Sequence, residues 1–248
     1  MNGHPLLEAR GVTVRFGGLT AVDNVSAAFA PGELVGIIGP NGAGKTTFFN
    51  ALSGVVTPTG GELHAGGRRL TGAGPHRFAQ QGIARTFQTP RVFAELSVAA
   101  NVGFGLQFAG RQRSAPPLLQ DEASILGLIG LRDQAAWPAA AITPSQQRLL
   151  EIGMALATRP KLLLLDEVAA GLTEAEVEAM AQLIRRLRGE LDLTVIWIEH
   201  AVTTLMRHVE RVLVLHQGRK IADGLPSEVV RNPEVIEAYL GDEMAEAA

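Results

Sequence analysis

The sequence predicts an α/β protein built round a mostly parallel sheet, and three observations carry that prediction. Short apolar runs suited to strands alternate with stretches of helical period. A glycine-rich turn, GPNGAGKT at residues 39–46, stands directly between one such strand and one such helix. The run KLLLLDE is apolar without a break and ends in acids, which fits a central parallel strand covered on both faces.

In chain order, the opening third alternates apolar and polar residues in short runs punctuated by glycine: LLEARGVTVRF, AVDNVSAAFA and ELVGIIG. It reads as a strand-rich layer ending in a buried strand from Leu34 to Ile38. From Lys45 the period changes, with Phe48, Phe49 and Leu52 at helical spacing until Gly54. TPTGGELHAGGRRL suggests turns around short strands. Residues from about 89 to 160 hold weaker helical patterns, interrupted by GRQRSAPP at 110–117. That stretch reads equally as a surface loop in a helical subdomain and as a simple connector of variable length.

Beyond KLLLLDE, a capping box from Thr173 to Glu176 opens a helix whose Val177, Met180, Ile184 and Leu187 share one face, with Gly189 near its end. TVIWIEH is a further buried strand, RVLVLHQGRKIADG a hairpin turning at Gln217 and Gly218, and NPEVIEAYLG a short helix started by Pro233. No internal repeat is visible.

Composition narrows the function classes. Hydrophobic residues make up 46% and charged residues 19%, as in a globular chain. A net charge of -3 argues against nucleic acid as a partner. With no cysteine, a disulfide framework and a thiolate metal site are excluded. The first residues carry charges at Glu8, Arg10 and Arg15 and no long apolar core, so export is not expected. The apolar runs fall short of the roughly 20 residues that cross a bilayer, so any spanning must be done by another chain.

GPNGAGKT satisfies the phosphate-loop pattern GxxxxGK[ST], and its flanking strand and helix supply the context that pattern needs. Amides unobstructed at Gly39, Gly42 and Gly44 can wrap phosphate oxygens at the positive end of a helix dipole. Gly39, Pro40, Asn41, Gly42, Ala43, Gly44, Lys45, Thr46 and Thr47 are therefore the expected ATP site. Lys45 would supply charge to the β and γ phosphates, and the Thr46 hydroxyl would face Mg²⁺. The plain alternative is a glycine turn that happens to precede a helix.

Asp166 and Glu167 lie at the carboxyl end of a strand, where open α/β sheets place ligands. Asp166 would hold Mg²⁺ and Glu167 would polarise the attacking water, although an acidic pair after LLLL taken alone could be only an exposed strand end. His200 ends the next strand, in IEH, where a neutral imidazole could bond the γ phosphate. The histidines at 4, 64, 76, 208 and 216 read as surface or structural.

In order along nearly the whole chain, GPNGAGKTT, RTFQTP, QQRLLEIGMAL, LLLLDE, AGLT and IEH resemble the ATPase subunit of ABC transporters. More narrowly, RFGGLTAVDNVS, GIARTFQTPRVF and NPEVIEAYLG are similar to the ATPases of the branched-chain amino acid uptake class, with urea and amide importers nearby. The resemblance implies a P-loop NTPase core with a parallel sheet, an antiparallel β subdomain on the N-terminal side and an inserted helical subdomain. It implies one domain over 1–248, with a core at about 1–88 and 161–232, a helical subdomain at about 89–160 and a short C-terminal helix at 233–241. Phe16 would stack on adenine, and as an aromatic at an apolar strand end it reads equally as core. Gln88 would link Mg²⁺ and the attacking water to TPRVFAEL, the segment that touches the membrane subunit. Gly171 and Leu172 would lie at the dimer interface.

The implied partners are transmembrane permease subunits, a second ATPase subunit and, indirectly, a periplasmic or extracellular solute-binding protein. The implied location is the cytoplasmic face of the inner membrane, as a peripheral subunit.

Where the family carries LSGGQ, this chain reads Ile142, Thr143, Pro144, Ser145 and Gln146. Thr143 suits an N-cap, Pro144 the first helical position, and Gln146 completes a capping box. Both glycines are gone, so close backbone approach to a phosphate held by the partner is lost at Pro144 and Ser145. Thr143, Ser145 and Gln146 are still candidates for that contact, and the bland alternative is a good helix cap. Weakened hydrolysis is the rival function. A soluble ATPase of DNA repair or translation is disfavoured by the short length and absence of basic patches. Val168 replaces the usual proline and Ala201 the usual aspartate.

Overall fold

The computed structural model describes residues 4–108, 116–199 and 202–246. The chain opens with strands of two sheets. β1 (Leu7–Phe16) and β2 (Leu19–Phe29) pair as an antiparallel hairpin, and β3 (Leu34–Ile38) leads into α1 (Lys45–Leu52). β4 (Gly60–Ala65) and β5 (Arg68–Arg69) extend the hairpin, giving an antiparallel sheet in the order β2-β1-β4-β5. Its strands alternate buried and exposed residues, as a sheet with one solvated face must.

α2 (Pro75–Gln80) and β6 (Ile83–Arg85) follow, neither of which the sequence pattern distinguished. Three helices come next: α3 (Val98–Phe108), α4 (Glu122–Ile129) and α5 (Pro144–Ala157), packed on one another. β7 (Leu162–Asp166), α6 (Glu174–Leu191), β8 (Thr194–Ile198), α7 (Val202–His208), β9 (Arg211–His216) and β10 (Arg219–Gly224) complete the second sheet. α8 (Pro226–Val229) and α9 (Pro233–Glu246) close the chain. The last helix runs further than the 233–241 span read from NPEVIEAYLG, because nothing in GDEMAE breaks a helix after Gly241.

The six-stranded sheet has the order β10-β9-β3-β8-β7-β6, parallel except for β10 at its edge. β3, β7 and β8 are buried at every position, which explains their unbroken apolar sequences. Trp197, Leu163 and Leu165 face a core shared with α3–α6, while Ile37, Leu164 and Ile198 face the core shared with the antiparallel sheet and α1. The predicted hairpin turn is present: Gln217 and Gly218 both have positive φ, 47° and 78°, as a two-residue turn of this hand requires. The capping box at Thr173 and the buried stripe Val177, Met180, Ile184 and Leu187 on α6 are as the sequence indicates. Most of the GRQRSAPP stretch lies outside the described residues.

Strand order matters for function because it sets which carboxyl ends are neighbours. β3 lies next to β8, β8 next to β7, and β7 next to β6. The segments that leave these strands therefore gather on one rim.

Candidate nucleotide-binding site

The turn leaving β3 is shaped by glycine at positions where the backbone admits nothing else. Gly39 has φ 154°, and a Cβ there would sit 2.1 Å from the Leu215 carbonyl oxygen; at Gly44, with φ 94°, it would sit 2.3 Å from that of Ala21. Both obstacles are main chain and cannot rotate aside. Gly44 is also the N-cap of α1 and offers no side chain to the first turn, so that end of the helix is shaped to receive an anion instead. Lys45, only 5% exposed, donates from Nζ to the carbonyls of Gly39 (2.5 Å) and Pro40 (2.9 Å). The loop thus holds its own ammonium against the mouth where a phosphate would compete for it.

A cleft of about 580 Å³ is lined by Asn41, Gly42, Ala43, Gly44, Lys45, Thr46 and Thr47, by Gln88 and by Glu167, with Leu19, Thr20 and Gln217 along its side. Residues from five separate stretches of sequence are brought together there. Gln88 Nε2 donates to Glu167 Oε2 at 2.6 Å, so the amide and the carboxylate act as one unit. Glu167 itself has φ 50°, rare for a side chain this large, and its amide donates to the Ile198 carbonyl on β8 at 3.0 Å. The left-handed turn points the carboxyl into the cleft directly after a strand that is wholly interior.

Asp166 is 3% exposed and does not line the cleft surface. Arg85, at the end of β6, donates from Nη2 to its Oδ2 at 2.7 Å. The same guanidinium donates to Asn50 Oδ1 (2.7 Å) and Ser53 Oγ (2.8 Å) from Nη1, and lies over the rings of Phe49 and Phe87 at 5.2 and 5.0 Å. A buried carboxylate needs such a counter-ion, and here one arginine ties the end of α1 to the segment that carries Gln88. Sequence reading passed over Arg85, although a lone charge in GIARTF was the available signal.

Glu199 was passed over as well, in favour of its neighbour. It is 4% exposed, and its Oε1 accepts from the Ala169 amide (2.8 Å) and from Trp197 Nε1 (2.9 Å). Burial pushes its pKa up, and the charge of nearby Glu167 adds to that. β8 ends at Ile198, two residues before the strand end expected at His200, because Glu199 turns out of the ladder to cap the segment after Glu167. His200 and Ala201 lie outside the described residues.

Phe16 ends β1 at 52% exposure, so it is not a core residue; it is also not among the side chains lining the cleft, where Leu19 stands instead. Thr143 is the N-cap of α5 with both halves of the capping box formed: Gln146 N donates to Thr143 Oγ1 (3.2 Å) and Thr143 N to Gln146 Oε1 (3.0 Å). Ser145 lines a separate cavity of about 310 Å³ with Leu149, Leu172 and Glu176, and none of the phosphate-loop residues borders it. Within one chain, then, the ITPSQ segment and the phosphate loop do not meet. Gly171, exposed with φ 76°, precedes Leu172 at the rim of that second cavity.

Comparison with known proteins agrees with this geometry. The ABC transporter family profile matches residues 22–170, and that of the branched-chain amino acid ATP-binding cassette transporter matches residues 219–245. The chain is 39% identical over 251 residues to the high-affinity branched-chain amino acid transport ATP-binding protein BraF of Pseudomonas aeruginosa, covering 96% of this chain and 98% of that one. Its similarity to the corresponding protein LivG of Escherichia coli has the same identity and extent. Among solved structures, the ADP conformation of MJ1267, an ATP-binding cassette of an ABC transporter, superposes with a TM-score of 0.84 at 27% identity, over 95% of this chain and 98% of the other. Likeness of this extent, in sequence and in fold together, is a family relationship: the chain belongs to the ABC transporter family, as an ATP-binding cassette.

Proposed function

We propose that the chain binds MgATP in the cleft between the phosphate loop and the β7 rim and hydrolyses it to drive a solute importer. The observation that carries the reading is the 2.6 Å bond between Gln88 and Glu167 within the same cleft as Lys45 and Thr46. Lys45 and the loop amides neutralise and orient the phosphates. Glu167, aimed into the cleft by its left-handed backbone, takes a proton from the attacking water, and the Gln88 amide holds that carboxylate in place. The hydroxyl of Thr46, the amide oxygen of Gln88 and the carboxylate of Asp166 are hard oxygen donors of the kind magnesium prefers, and when bound the ion would neutralise phosphate charge. His200 is proposed to bond the γ phosphate, and Phe16 to meet the adenine from the end of β1.

The names of the relatives and the match over 219–245 support branched-chain amino acids as the solute class. No helix among the described residues is long and apolar enough to cross a membrane. The chain is accordingly proposed to act as a peripheral subunit on the cytoplasmic face, with transmembrane permease subunits, a second ATPase subunit and, through the permease, a solute-binding protein. The separation of ITPSQ from the phosphate loop supports a dimer in which Thr143, Ser145 and Gln146 face the partner's nucleotide. The test is ATP turnover of the assembled complex carrying Glu167→Gln: it should fall at least about a hundredfold while ATP still binds. Unchanged turnover would remove Glu167 as the base.

A further inference from the structure

The cleft explains how Lys45, Thr46, Gln88 and Glu167 meet, but not what keeps the backbones of Gln88 and Glu167 at the separation their short bond needs. These residues follow different strands, β6 and β7; the Glu167 amide is tied to the Ile198 carbonyl on β8, but that bond does not reach the Gln88 segment. The link between the two segments comes from α5. Arg148 donates from Nη1 to the carbonyl oxygens of Glu167 (3.0 Å) and Gln88 (3.3 Å), and from Nη2 to that of Ala170 (2.7 Å).

One helical turn further along the same face, Glu151 accepts from the amides of Phe87 (3.2 Å) and Arg91 (3.0 Å). Glu151 is 5% exposed, and desolvation pushes its pKa up. The segment carrying Gln88 is therefore gripped on both sides, by amide donation to Glu151 and by carbonyl acceptance from Arg148.

We propose that Arg148 is a positioning residue for ATP hydrolysis: it bridges the main chains of Gln88 and Glu167 and so sets the geometry of the pair that acts on water. Arg148 does not line the nucleotide cleft, and every bond it is seen to make in this region ends on a carbonyl oxygen. It acts on the reaction through backbone placement alone. Three carbonyls from two segments converge on one planar fork, a task for which a lysine's single ammonium is poorly shaped. The bonds to Glu167 and Ala170 also bracket the left-handed turn at Glu167, whose cost some surrounding contact must offset. Because α5 is capped at Thr143, a shift of the helix that follows from ITPSQ would move both members of the pair together.

This inference rests on the proposed ATPase function, and its test separates the two. ATP turnover and ATP affinity are measured on the assembled complex with wild-type chain, Arg148→Ala and Arg148→Lys, the affinity by calorimetry with ATP. The expected result for Arg148→Ala is a kcat lower by about tenfold to a hundredfold with the dissociation constant for ATP within about twofold of wild type. Arg148→Lys should recover only part of the loss. A kcat for Arg148→Ala within about twofold of wild type would overturn the proposal, as would a loss of ATP affinity in proportion to kcat, which marks a general structural defect. Should Arg148→Ala fail to fold, Arg148→Lys decides alone by the same two measurements, wild-type kcat counting against the proposal and reduced kcat at unchanged affinity for it. A wild-type complex that turns over no ATP would instead sink the ATPase reading itself.

Discussion

At the scale of single residues, the site consists largely of groups that are costly where they stand and are held by a specific partner. Asp166 is interior and is met by Arg85; Glu167 sits in the left-handed region and is met by Gln88 and by the Ile198 carbonyl. Glu199 differs, since it is buried without a cation bonded to it among the described residues and accepts two hydrogen bonds on a single oxygen. Its folded-state pKa lies above the ordinary glutamate value of 4.5, chiefly through burial. Between the unfolded and folded pKa values the native state binds more protons than the unfolded one, so this group's contribution makes stability fall as pH rises through that window. Glu199→Gln keeps an acceptor for both donors and removes the ionisation. Its urea midpoint should gain on wild type as pH is raised from about 5 to about 7.5. Midpoints that run parallel over that range would show that Glu199 carries no such penalty. Glu151→Gln is not equivalent, because both Glu151 oxygens accept from amides and a Gln nitrogen would face one of them.

Among elements, α5 has the most tasks. Its start is specified locally by the capping box at Thr143 and by Pro144, and its middle grips the Gln88 and Glu167 segments. Its far end is fixed by close packing against α3. A Cβ at Gly105 would lie 2.7 Å from both the Met154 carbonyl oxygen and the Ala157 Cβ. Since one of these is helix backbone, the helices would have to separate. Gly105→Ala should therefore cost about 1–3 kcal/mol despite the better helix propensity of alanine, read as a lower melting temperature. A variant that melts at or above the wild-type temperature would show that α3 and α5 can part without loss. The sequence pattern over 89–160 gave only weak helical signals because these helices bury small residues, such as Gly105 and Gly153, that carry little periodic hydrophobicity.

For the whole molecule, the decisive feature is that the phosphate loop and the ITPSQ segment do not meet within one chain. The phosphate loop opens on one cleft and Ser145 on another. In the proposed dimer, ITPSQ would face the partner's nucleotide with the Pro144 ring and the Ser145 side chain in place of the family's two glycines. Replacing Pro144 and Ser145 together by glycine should raise ATP turnover of the assembled complex while costing the start of α5 about 1–2 kcal/mol. Turnover that stays at the wild-type level, with the melting temperature lowered, would mean that the substituted letters do not limit hydrolysis.

Much of this could be read from the letters because the relevant physics is local. The phosphate loop needs only glycine conformations and a following helix, the buried strands need only unbroken apolar runs, and the caps at Thr143 and Thr173 need only neighbours three residues away. Arg85, Arg148, Glu151 and Glu199 were not legible, since their bonding partners lie between 19 and 81 positions away in sequence, apart from the Trp197 bond of Glu199 and the Thr86 bond of Arg85. Arg85 Nη1 likewise reaches back 35 and 32 positions to Asn50 and Ser53. The sequence by itself determined which groups are the candidates for binding a triphosphate. Only the tertiary structure decided how they are aimed, because strand order and the grip of α5 are set by burial and hydrogen bonding between distant segments, for which no local pattern exists.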